Sequence, residues 1–103
     1  MIYQLNVNTL VPGKMAEYFK LAEQVQPIYP KVGMKIDASF RGYTGEMNSI
    51  YVLYAYDDFG AYSEAVQTRT ANADFRKIMA GVAPLVVNQT TTFLEPNPWS
   101  PMK

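Results

Sequence analysis

The sequence predicts an α+β domain of the ferredoxin-like type, a four-stranded antiparallel sheet with helices on one face. Three observations predict it. The apolar period switches between two and about 3.6 residues in the order strand, helix, strand, strand, helix, strand, the split βαβ pattern. Pro and Gly stand where the period changes. The chain of 103 residues, 49% apolar and 17% charged, has the size and composition of one folded domain spanning residues 1–103.

The elements follow in order. Residues 2–10, IYQLNVNTL, alternate, with Tyr3, Leu5 and Val7 on one face and Gln4, Asn6 and Asn8 on the other. VPGK at 11–14 is a turn. From Lys14, Met15, Tyr18, Phe19, Ala22 and Val25 recur at helical steps, and Pro27 ends that helix. Residues 34–41, MKIDASFR, alternate again and place Ile36, Ala38 and Phe40 on one face. Gly42 and Gly45 lead into the strand NSIYVLYAYDD at 48–58, which closes a hairpin. Asp57 or Asp58 caps a helix carrying Phe59, Tyr62, Ala65 and Val66. TRTAN interrupts the period, and Asn72 caps a further helix with Phe75, Ile78, Met79 and Val82 that Pro84 stops. LVVNQTTTFL at 85–94 is a last β-branched strand, and EPNPWSPMK reads as an extended tail.

The strand at 48–58 is apolar on both sides, Ile50, Val52, Tyr54 and Tyr56 on one and Tyr51, Leu53 and Ala55 on the other. Helices on one face leave the second apolar face to be covered, and a second copy of the chain is the economical cover. A homodimer is therefore expected. Either set of side chains can form its interface; Val52, Tyr54 and Trp99 are the candidates taken forward, with the proline-stiffened tail carrying Trp99 across.

Composition narrows the chemistry. There is no Cys and no His, which removes thiol catalysis, Ser–His–Asp triads and histidine-ligated metals or haem from this chain. No cofactor is expected. Nine basic residues balance nine acidic ones, so no electrostatic footprint for nucleic acid or an anionic membrane is present. Met1 leads straight into a strand, with no leader-like apolar region, and no run approaches the ~20 apolar residues of a membrane span. A cytoplasmic protein is the expectation.

The opening stretch, through Tyr3, Leu5, Thr9, Leu10, Pro12, Gly13 and Lys14, resembles the start of NIPSNAP-family proteins. MNSIYVLYAYDDF is similar to that family's N-x-V-x-x-x-W-x-Y-D strand through Asn48, Tyr56 and Asp57, and LEPNPWSP is similar to its closing segment. The resemblance covers nearly the whole chain and implies a dimeric α+β barrel. It also marks departures. Relatives often carry Arg and an aromatic residue where this chain has Asn6 and Asn8, His and Trp where it has Val52 and Tyr54, and Trp where it has Phe75. In the wider barrel superfamily, some cofactor-free monooxygenases and haem degraders use an Asn on the first strand.

Candidate ligand-binding residues follow. Asn6 and Asn8 place two amides on one strand face, offering donors and acceptors to a cavity. Tyr54 and Tyr56 share a face among eight tyrosines, whose rings suit a planar, partly polar ligand. Arg41 could hold a carboxylate bidentately. Asp57–Asp58 reads as a cap, and TRTANADFRK as a solvated helix face. The resulting expectation is a homodimer that binds a small planar or partly polar ligand between sheet and helices. The alternative is a cofactor-independent monooxygenase or isomerase.

Overall fold

β1 (Ile2–Leu10), α1 (Met15–Val25), β2 (Lys35–Arg41), β3 (Ser49–Tyr56), α2 (Phe59–Ala71), α3 (Ala73–Val82) and β4 (Val86–Leu94) follow one another along the chain. Single 3₁₀ turns lie at Tyr29–Val32 and Ala83–Leu85. The structure is a computed structural model and describes residues 1–45 and 47–102. The sheet order is β2-β3-β1-β4, and every neighbouring pair is antiparallel. This is the ferredoxin-like α+β arrangement, an open sheet with the helices on one face.

Local chemistry fixes the joints. After β1, Pro12 sets its own φ and Gly13 supplies φ +86, and the Lys14 N–H donates to the Val11 carbonyl at 3.1 Å. These are the features of a type II turn, which aims α1 back across the sheet. Asp58 caps α2, its Oδ1 accepting from the Ala61 N–H at 2.8 Å. Asn72 caps α3 in the same way, accepting from the Phe75 N–H at 2.9 Å. The second helical region differs from its sequence reading in one respect. α2 continues through TRTA to Ala71, and only Asn72, in extended geometry, breaks the path.

Strand pairing assigns the faces. Ile2, Gln4, Asn6 and Asn8 of β1 stand opposite Tyr56, Tyr54, Val52 and Ile50 of β3, so these residues share one side. That side carries the core, where Ile50, Val52, Tyr54 and Tyr56 pack with Leu10, Val25, Ile28, Val32 and Ala65. The helices therefore cover the amide-bearing face of β1. Tyr3, Leu5 and Val7, with Tyr51, Leu53 and Ala55 of β3, lie on the open face.

β2 departs from simple alternation. Ile36 pairs with Tyr54, but Ala38 pairs with Leu53, because Asp37 forms a bulge. A one-residue shift exchanges the faces of everything beyond it. Ile36 faces the helices, whereas Ala38 and Phe40 turn to the open face and Ser39 and Arg41 turn inward. The expectation that Ile36, Ala38 and Phe40 share a face is corrected accordingly.

The tail is turned rather than simply extended. Residues 95–102 run beside Tyr3, Leu53 and Leu94, and the Ser100 N–H donates to the Asn97 carbonyl at 2.9 Å. No helix among the described residues is long and apolar enough to cross a membrane.

Candidate functional site

Alternation in β1 puts Gln4, Asn6 and Asn8 at every second position, so all three amides face the helix layer. Three such groups on a core-facing strand need partners or a polar space. They have both. Beneath the helices lies a cleft of about 780 Å³ lined by Gln4, Asn6, Asn8 and Thr91 of the sheet, with Tyr18, Tyr29, Tyr54, Tyr62 and Phe75 around it. Clefts of a few hundred to a thousand cubic ångströms suit small ligands.

The floor is wired by hydrogen bonds. The Tyr56 hydroxyl donates to Gln4 Oε1 at 3.2 Å, and Gln4 Nε2 donates to Asn6 Oδ1 at 3.1 Å. The Thr91 hydroxyl donates to the same Asn6 oxygen at 2.9 Å. Asn6 therefore has its acceptor engaged twice, and its Nδ2 amide is the group that remains to donate to a ligand. The Tyr29 and Tyr54 hydroxyls lie 3.3 Å apart, their rings meeting edge to face.

Burial pushes the phenols of Tyr18, Tyr29, Tyr54 and Tyr56 above their usual value. The Asn8 amide works against this at Tyr18, as does Tyr54's hydroxyl at Tyr29. Tyr54 is shifted farthest, because desolvation is joined by the neighbouring Tyr29. All four remain neutral hydroxyls at ordinary pH. They can donate or accept a hydrogen bond and cannot serve as bases.

Among the described residues, one cation lines the cleft. Arg69 enters from α2, its Nη1 facing the sulfur of Met34 at 3.8 Å. Its positive charge acts against the upward shift of both Tyr29 and Tyr56, so its field reaches across the floor. The mixed charges of the run containing Arg69 predict a solvated face, whereas Arg69 lines the cleft. Its spacing held the signal, since Tyr62 and Arg69 are seven apart and share a helix stripe.

The other candidates are distributed as follows. Asn6, Asn8 and Tyr54 line the cleft together. Tyr56 lies beside it, bonded to Gln4. Arg41, turned inward by the Asp37 bulge, lines a smaller neighbouring cleft of about 280 Å³, its guanidinium carbon 5.7 Å from the centre of the Phe19 ring. Val52 and Tyr54 are buried on the helix side of the sheet and do not stand on the open face, where Tyr51, Leu53 and Ala55 lie instead. Trp99 is 81% exposed. Among the described residues, no group of three or more His, Cys, Asp or Glu is gathered as a metal site would need.

The sequence matches the NIPSNAP family model over residues 3–101. No curated protein matches it. Among solved structures, a NIPSNAP domain protein from Burkholderia xenovorans is 20% identical with a TM-score of 0.90, the match covering 98% of this chain and 99% of that one. A NIPSNAP family protein of unknown function from Agrobacterium tumefaciens is 18% identical with a TM-score of 0.94, covering 100% of this chain and 94% of that one. A putative antibiotic biosynthesis monooxygenase from Nitrosomonas europaea shares the fold at 8% identity and a TM-score of 0.73, covering 93% of this chain and 98% of that one.

Proposed function

This chain belongs to the NIPSNAP family, and on that premise we propose that it binds a small planar, partly polar molecule in the cleft between sheet and helices. The observation that carries this reading is the inward-facing amide row Gln4–Asn6–Asn8, set beneath a ring of tyrosines. A wall of amides and neutral phenols orients a ligand through hydrogen bonds, while the aromatic faces supply apolar area.

A second copy completes the molecule in this proposal. Phe40 is 65% exposed and Leu94 41% exposed, and both flank the open face with Leu5, Val7, Tyr51 and Leu53. An apolar surface of this kind supports an interface. Trp99, carried by the tail beside that face, is available to meet the partner.

A thermal-shift titration with planar phenols and naphthalene derivatives tests the ligand reading. At least one compound raises Tm in a saturable way, and Asn6→Leu with Asn8→Leu abolishes the rise while the variant's circular dichroism stays native. If no planar compound stabilises the protein, or the double variant responds as the parent does, the reading is wrong.

The Asn6 amide also supports a second reading, because it is a donor on the first strand of a fold shared with the putative monooxygenase. An amide donor can stabilise a developing oxyanion. In that reading an electron-rich substrate that has already lost its proton to solvent passes one electron to oxygen, and the substrate radical and superoxide combine as a hydroperoxide, with no cofactor. Oxygen consumption above the buffer rate with quinols, lost in Asn6→Leu, supports turnover; binding without uptake supports the binding role.

A further inference from the structure

We infer that the cleft reads the negative charge of its ligand, and that the ligand is a planar aromatic carboxylate held by Arg69. The inference rests on the binding role proposed above and names the ligand class.

Arg69 is half-buried and is the one charged side chain among the described residues lining the cleft. The ion pairs of the described residues are Lys14–Glu17 and Lys35–Asp37, so Arg69 has no carboxylate partner among the described residues. Its hydrogen-bond partner is a thioether, the Met34 sulfur at 3.8 Å, which is a weak acceptor. A partly desolvated guanidinium with a weak acceptor is an unfinished arrangement. The surrounding side chains are amides, hydroxyls and apolar groups, so nothing on the walls repels an anion. A carboxylate brought by a ligand completes the guanidinium, with two parallel N–H bonds in the planar fork.

The rest of the cleft fixes the remaining shape. Arg69 reaches Met34, whose neighbour Lys35 pairs with Ala55, and Ala55 pairs with Tyr3, so the cation stands at the Gln4 end of the amide row. Asn8 stands four residues farther along β1, about 13 Å away at strand spacing. A flat ring laid against the wall that Tyr29, Tyr54 and Phe75 form together spans from the guanidinium toward Asn6, and a hydroxyl or carbonyl at its far side meets the Asn6 and Asn8 amides. Tyr29 and Phe75 already meet edge to face, with ring centres 6.4 Å apart, which gives the aromatic wall a defined surface. Tyr18, Tyr29 and Tyr54 keep neutral hydroxyls, so they do not oppose an anion.

The test is a calorimetric titration of 2-naphthoate and 2-naphthamide, and of 4-hydroxycinnamate and its methyl ester. The partners of each pair are alike in shape and differ in charge. The native protein binds the two acids about ten- to a hundredfold more tightly than their neutral partners. Arg69→Gln lowers the affinity of each acid to that of its neutral partner and leaves the neutral partner unchanged. Arg69→Lys, which retains the charge without the fork, recovers part of the difference. Melting curves of both variants establish that they fold. If acid and neutral partner bind alike, or Arg69→Gln weakens both equally, charge is not being read and the inference falls, while the cleft reading survives. If no compound binds the native protein at all, the cleft reading falls and takes the inference with it.

Discussion

Gln4 has both ends of its amide engaged inside the protein, accepting from Tyr56 and donating to Asn6. Such a residue transmits position rather than merely filling space. Tyr56→Phe leaves Gln4 Oε1 without its donor, at a cost of about 1–3 kcal/mol, and frees the Gln4 side chain to rotate. A lowered midpoint in urea together with weaker ligand binding is the expected result. The buried phenols give a pH signature. Their values are raised in the folded state, so folding favours the protonated form. Their contribution is fully present below the unfolded phenol value of about 10 and falls as pH rises beyond it, because the unfolded chain then releases protons that the native one holds. Stability is flat from about pH 6 to 9 as far as these groups are concerned and declines above pH 10. Tyr54→Phe makes that alkaline decline shallower, as followed by denaturant titration at several pH values.

At the scale of elements, the two helix caps and the β2 bulge shape the helix-side surface. Asp58→Ala or Asn72→Ala removes a side-chain acceptor for a helix N–H and costs about 1 kcal/mol, a fall in Tm of roughly 4–8 °C. Both caps were legible in the sequence, because Asp and Asn before a helical period have one dominant use there. The strands were legible for the same reason, their alternation being a direct consequence of the pleat. Three features were not. The bulge at Asp37 depends on how β2 meets β3, and nothing in MKIDASFR announces an extra residue. The continuation of α2 through TRTA is favoured by its tertiary setting over the weak propensity of threonine. The inward aim of Arg69 was encoded by its distance from Tyr62, yet a charge on a helix is ordinarily solvated, and that prior concealed it.

For the whole molecule, the sheet divides two tasks. The helix-covered face of β1 and β3 carries amides and tyrosines around a cleft, and the open face carries apolar residues with the Trp99 tail beside it. The second apolar face of residues 48–58 was plain in the sequence, whereas which set faced inward required pairing with β1, since either face could have met the helices. For assembly, Phe40→Glu places a charge on the open face at a residue already exposed in the single chain. The expected outcome by sedimentation is a dimer for the native protein and a monomer of unchanged circular dichroism for the variant. Trp99 is the only tryptophan, so if it meets the partner as proposed, its emission is expected to shift to longer wavelength on dilution. The claim that the helix-side cleft is the binding site is tested most directly by a nitrogen-15 titration of the side-chain amides with 2-naphthoate. The account predicts saturable shifts of the Gln4, Asn6 and Asn8 side-chain signals with the Trp99 indole unmoved; shifts at Trp99 with those three amides silent would contradict it.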